Sequence, residues 1–123
     1  MKEYIIEGRV VHGKHLGRTL GFPTANLDVR KEIDCARGVY FALCEIEGRT
    51  YRVILNIGAH PTVPEGAPTV EAHLLDYSGD LYGHMLELRL KRFMRGEVRF
   101  ASLDALKAQL EYDRQSALSM NME

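Results

Sequence analysis

Cysteine is scarce here, with two residues among 123, Cys35 and Cys44. Neither their number nor their spacing makes a disulfide framework or a metal-ligand pattern, so reduced thiols are expected. The five histidines (His12, His15, His60, His73 and His84) are scattered and form no zinc signature; solvated or hydrogen-bonded side chains account for them. An excess of one charge is also lacking. Sixteen Lys and Arg stand against seventeen Asp and Glu, a net charge of −1, which argues against nucleic acid or an anionic membrane as the main partner. No apolar run is long enough to cross a bilayer, and Glu3 and Glu7 interrupt the start where a secretory leader needs an unbroken apolar stretch. A cytoplasmic protein is expected. Repeats, low-complexity tracts and internal linkers are missing too. One domain with one core follows, and a chain of this length can bury roughly two-thirds of its unfolded surface without a covalent or metal staple.

What the chain does have is concentrated between Gly13 and Asn26, Gly-Lys-His-Leu-Gly-Arg-Thr-Leu-Gly-Phe-Pro-Thr-Ala-Asn. Gly13, Gly17 and Gly21 let backbone approach a ligand closely, and Lys14 and Arg18 bring positive charge to the same loop, which suits a phosphate. Pro23 forces the chain into an extended conformation, so Thr24 and Asn26, two residues apart, are expected on one side. A hydroxyl and an amide oxygen are neutral, hard ligands suited to Mg²⁺ that draws its negative charge from a nucleotide. A Gly-rich turn whose Thr and Asn bond their own backbone fits the same residues. The preceding Gly8 to His15 nearly spells a P-loop. His15 stands where the metal-binding Ser or Thr belongs, however, and Gly and Pro follow where a helix must begin, so that reading is excluded.

Around this loop the periodicity is that of strands. Tyr4–Val11 is rich in β-branched residues and delivers the glycine loop; Leu27–Arg37 is charged and reads as a surface loop. Gly38–Ile46 is apolar on both alternating faces, as in a strand covered on both sides, and Glu47-Gly48-Arg49 turns it back into Thr50–Ile57. Asn56–Thr62 closes that strand with a further Gly and Pro turn, and Pro64–Pro68 is a loop. Thr69–Asp76 alternates Val70, Ala72 and Leu74 with Glu71 and His73, and Met85–Arg92 is a half-buried strand after a turn at Ser78-Gly79-Asp80. Short turns without helical crossovers imply an antiparallel sheet. Ser102 then caps a helix with Leu103, Leu106, Leu110 and Ala117 on one stripe and Asp104 near its positive end. The reading is a mostly β fold, a small antiparallel barrel from Tyr4 to about Phe100 closed by a C-terminal helix from Ser102 to about Leu118.

Glu71 on mid-strand reads physically as an outward carboxylate paired with a nearby Arg, or as a general base. Arg95 reads as a solvated surface Arg, or as part of a loop from Arg95 to Phe100 with an aromatic anchor.

The sequence resembles the riboflavin kinase family. The resemblance is carried by Gly8-Arg-Val-Val-His-Gly13, Leu20-Gly-Phe-Pro-Thr-Ala-Asn26, Gly38-Val-Tyr40, Asn56-Ile-Gly58, Pro61-Thr62, Val70-Glu-Ala-His73, Asp80-Leu-Tyr-Gly83, and Arg95-Gly-Glu97 with Phe100, in the family's order. It implies a six-stranded Greek-key barrel with a C-terminal helix and, for function, transfer of the γ-phosphate of ATP to the 5′-hydroxyl of riboflavin, giving FMN and ADP. By position, it implies Gly13 and Arg18 along the phosphates, Thr24 and Asn26 holding Mg²⁺, and Glu71 as general base. Leu74, Asp76 and Tyr82 fall at nucleotide contacts, and Arg95, Val98 and Phe100 at flavin contacts. The chain departs from the pattern at His60, Val63 and Met94. The expectation is a monomer that stops at FMN, because the first strand begins almost at Met1 and leaves no room for the adenylyltransferase fused to many bacterial members; a fragment of a longer protein is the exception. A flavin-binding module without catalysis is the rival expectation, against which Thr24, Asn26 and Glu71 stand together.

Overall fold

A computed structural model describes residues 4–11, 24–31, 33–58, 69–97 and 100–122. Gly13, Arg18 and Val98, the near-P-loop beyond Val11, the Gly and Pro turn at Ala59–Thr62 and the loop at Pro64–Pro68 lie outside them.

Six strands, β1 (Tyr4–Val11), β2 (Ala25–Asp28), β3 (Gly38–Ile46), β4 (Arg49–Gly58), β5 (Thr69–Leu74) and β6 (Met85–Arg95), precede α1 (Leu103–Leu118). They close into a barrel in the order β1-β2-β5-β4-β3-β6, with every neighbouring pair antiparallel. β3, β4 and β5 form a meander, and β2 lies beside β5 rather than β3, which is the Greek-key return. The β3–β4 hairpin turns through Glu47 (φ 51°) and Gly48 (φ 81°), the left-handed pair that matches strand twist.

Alternation then sorts the side chains. Inside the barrel, Ile6, Val10, Leu27, Val53, Leu55, Ile57, Val70, Ala72 and Leu88 form one buried cluster. Cys44 lies in it as a free thiol that burial pushes up to about 11. Outside the barrel a second cluster, Val39, Phe41, Leu43, Ile54, Leu75 and Ala117, packs beneath α1. The two-faced apolarity of β3 is thus real: one face fills the barrel and the other receives the helix.

Four expectations change. Leu27 and Asp28 are strand, not loop, because β2 is short and pairs on both edges with β1 and β5. β5 ends at Leu74; Leu75 and Asp76 form a turn in which Asp76 takes φ 61°. β6 runs on to Arg95 through two register shifts, so Arg95 is a strand residue and not part of a loop. The helix begins where expected, with Ser102 Oγ accepting from Ala105 N at 3.1 Å, but Leu103 is 58% exposed while Asp113 is buried beside Ala117.

Candidate active site

The register places one lateral row of residues across the outer face of the barrel. Asn26 stands opposite Val11 on one side and Glu71 on the other. Glu71 is opposite Asn56, Asn56 opposite Val39, and Val39 opposite Arg95. Residues paired in this way share a face, because alternation along each strand is strict. Leu27, Ala72 and Leu55 point inward next to them, so Asn26, Glu71 and Asn56 point outward. Neighbouring strands lie about 4.8 Å apart, so three spacings separate Glu71 from Arg95, on the order of 14 Å along the sheet.

Two local features bring Arg95 into this row. In an unbroken strand Phe93 and Arg95 would share a face. Met94 is instead an extra residue opposite the Val39–Tyr40 step, so Phe93 pairs with Tyr40 and Arg95 with Val39. The close approach there requires glycine at Gly38. At φ 148° a Cβ on Gly38 would meet the Arg95 carbonyl oxygen at 2.6 Å and the Phe93 ring at 2.7 Å.

The centre of the row is polar and partly desolvated. Burial alone pushes the Glu71 carboxyl above the usual carboxylate range. This differs from the surface ion pair that a lone outward strand carboxylate suggests. Beside it, Asn26 Nδ2 is buried without a hydrogen-bond partner, and a buried amide end left unpaired costs free energy. A ligand at this place is the natural partner. Thr24 flanks the start of β2, half-buried, on the side to which alternation directs Asn26. The two ends of an amide are assigned from their surroundings, so turning the Asn26 amide presents an oxygen instead. With the Thr24 hydroxyl it makes the neutral oxygen pair that Mg²⁺ accepts when phosphates complete its shell. The residues therefore fit that ion. Among the described residues no group of three or more His, Cys, Asp or Glu is gathered for a metal.

The other expected positions fall as follows. Tyr82 is exposed in a turn whose backbone ties to β1, with Gly83 N–H donating to Val10 O at 2.9 Å, one residue from the Val11 end of the row. Its own N–H donates to Asp80 Oδ1 at 2.9 Å. Leu74 is buried in the inner core, and Asp76 lies exposed beyond the end of β5, farther along the strand from Glu71. Phe100 is half-buried just before the helix cap. Arg95 is not a solvated side chain. Its Nη2 lies 2.8 Å from Asp113 Oδ2 and its Nε donates to Asp113 Oδ1 at 3.1 Å.

Three residues not singled out from sequence belong here. Asn56 flanks Glu71 on the side away from Asn26; its signal was its place in the Asn-Ile-Gly echo. Glu97 carries its carboxylate over Gly58, where a Cβ would meet Glu97 Oε2 and Thr69 Oγ1 at 3.2 Å each. Thr69 lies two residues before Glu71 and so shares its face. Asp113 has only a helical signal, its spacing of four from Gln109 and Ala117.

The chain is similar to known proteins over nearly its whole length. The family described as Flavokinase, riboflavin kinase, matches residues 1–121. The Escherichia coli K12 protein named bifunctional riboflavin kinase/FMN adenylyltransferase is 45% identical over 117 residues, covering 93% of this chain and 37% of that one. The chain thus spans little more than a third of that relative. Among solved structures, riboflavin kinase from Trypanosoma brucei aligns with a TM-score of 0.67 at 25% identity, over 98% of this chain and 80% of its own. A Streptococcus pneumoniae protein named as a macrolide-efflux protein aligns with a TM-score of 0.88 at 31% identity, over 97% of this chain but 40% of its own, so that name covers a much longer protein. No helix among the described residues is long and apolar enough to cross a membrane. By sequence and by fold, the chain belongs to the riboflavin kinase family.

Proposed function

We propose that this chain transfers the γ-phosphate of ATP to the 5′-hydroxyl of riboflavin, forming FMN and ADP, with Glu71 as general base. The observation that carries the reading is the desolvated Glu71 carboxylate fixed on a barrel strand next to the unpartnered amide of Asn26. Burial raises the proton affinity of Glu71, which favours its taking the hydroxyl proton as the oxygen attacks the γ-phosphorus and the bond to the β-phosphate oxygen breaks. A positioned base of this kind typically contributes about a hundred- to ten-thousandfold in rate. The rest of the reaction asks for positioning and charge neutralisation more than covalent chemistry.

Thr24 and Asn26 would hold Mg²⁺, which when bound neutralises phosphate charge. Gly13 and Arg18 extend that neutralisation along the nucleotide, with Leu74, Asp76 and Tyr82 at the nucleoside end, by analogy with the family. Val39 and Arg95 continue the row away from Glu71. That direction suits the flavin, with Arg95, Val98 and Phe100 at the ring and the ribityl chain leading back to the base. We assign to this chain the kinase half of its E. coli relative's name, acting in the cytoplasm as a monomer on small molecules. Incubation with riboflavin, ATP and Mg²⁺, followed by chromatography of the flavins, tests the assignment. FMN is the expected product. Riboflavin that binds yet is never phosphorylated would make the chain a flavin-binding module.

A further inference from the structure

Among the described residues Asp113 is the one buried charged side chain, 2% exposed, on a helix otherwise seated by Ala117 and its apolar neighbours. Burying an ion pair contributes little net stability compared with an apolar pair of the same shape, so its presence calls for another explanation. Its geometry supplies one. Asp113 grips Arg95 in a two-point fork, Nε to Oδ1 at 3.1 Å and Nη2 to Oδ2 at 2.8 Å. Gln109 Nε2 donates to Asp113 Oδ1 at 2.9 Å from one helical turn back, which fixes the carboxylate itself. Arg95 Nη1 donates to the Gly96 carbonyl at 3.2 Å. The guanidinium plane is therefore set from three sides. Three of its five N–H groups are engaged in these bonds, which leaves two for a bound molecule.

We propose that Asp113 is a positioning residue for the flavin: it holds Arg95 in the orientation that receives the ring, and Gln109 supports it. The inference rests on the reading that Arg95 meets the flavin. The plane it fixes lies on the row that carries Glu71 and Asn56. It also anchors the backbone that runs on to Glu97 above Gly58. A planar cation with two N–H groups unbonded among the described residues matches the carbonyl edge or the flat face of an isoalloxazine.

The test is a double-mutant cycle on the full chain with Arg95→Met, Asp113→Leu and the two together, adding Asp113→Asn as the near-isosteric variant. Riboflavin affinity, from quenching of flavin fluorescence, and the KM for ATP are measured beside the melting temperature. The expected result is a loss of roughly tenfold in riboflavin affinity in each single variant and no further loss in the double variant, with the KM for ATP changed less than about twofold. The apolar pair should recover the melting temperature lost in the singles without recovering riboflavin affinity, which separates positioning from folding. If Arg95→Met weakens riboflavin and Asp113→Leu adds an independent loss on top of it, Asp113 does not act through Arg95 and the proposal is overturned. If Arg95→Met leaves riboflavin affinity unchanged, the flavin reading of Arg95 fails, and the proposal with it.

Discussion

The outer face of the barrel is two different surfaces built on the same strands. On β3 and β4 it carries Val39, Phe41, Leu43 and Ile54, packed beneath α1 with Leu75 and Ala117. Two positions beyond Ile54 on the same face of β4 stands Asn56, and the next strands add Glu71 and Asn26. Beneath the helix most outward side chains are apolar and stabilise, while Arg52, two before Ile54, donates to the Met120 carbonyl just past the helix. Asn56, Glu71 and Asn26, outside that apolar cluster, are polar, and at least one of them, the Asn26 amide, lacks a partner. Strand alternation alone does not distinguish the halves; cover does. On the proposed function, the polar half gives up stability to hold chemistry in place. Arg95 and Asp113 mark the border, being a charged pair on the covered side.

That contrast is broken most severely from the covered half. Phe41→Ala, at a site 1% exposed, should cost about 3–5 kcal/mol in urea unfolding. Turnover per folded molecule should stay within about twofold of wild type. The polar half should respond in the opposite sense. Asn26→Ala removes a buried unpaired amide, so the melting temperature should hold or rise, while the KM for Mg-ATP should rise roughly tenfold or more in steady-state kinetics. Thr24→Ala should move the same constant in the same direction.

How legible this division was in sequence depends on which rule each residue obeys. β1 shows the alternation of a half-covered strand and β3 the apolar run of one covered on both faces, and both stand where the sequence puts them. β2 is four residues inside a charged stretch, too short for periodicity to reveal. β6 outruns its pattern because the register shifts near Met94 and Lys91 each break the period of two. Asp113 was invisible for a different reason: a charged residue on a helix reads as solvated unless its partner is known, and that partner lies 18 positions away. Glu71 was legible as an outward carboxylate, but its desolvation arises from neighbours that only the closed barrel assembles.

Smaller effects sharpen the boundary between the halves. Ser102→Ala should cost about 1 kcal/mol by removing the helix cap and leave the kinetic constants unchanged. The pH dependence should be milder still. With the Glu71 carboxyl raised by burial, the folded state binds its proton more readily than the unfolded chain does. Glu71 therefore opposes folding increasingly as pH climbs from the ordinary carboxylate value through the raised one. Glu71→Gln should flatten that trend, so its melting temperature should exceed that of wild type at neutral pH and match it in acid. The acid limb of wild-type turnover should lie above the ordinary carboxylate range for the same reason.

The central claim is that the polar half of this face is a phosphotransfer site with Glu71 as its base, and turnover of riboflavin by Glu71→Gln tests it most directly. The account predicts FMN formation at least about a hundredfold slower than wild type, with riboflavin and nucleotide still bound. Undiminished FMN formation in Glu71→Gln would contradict it.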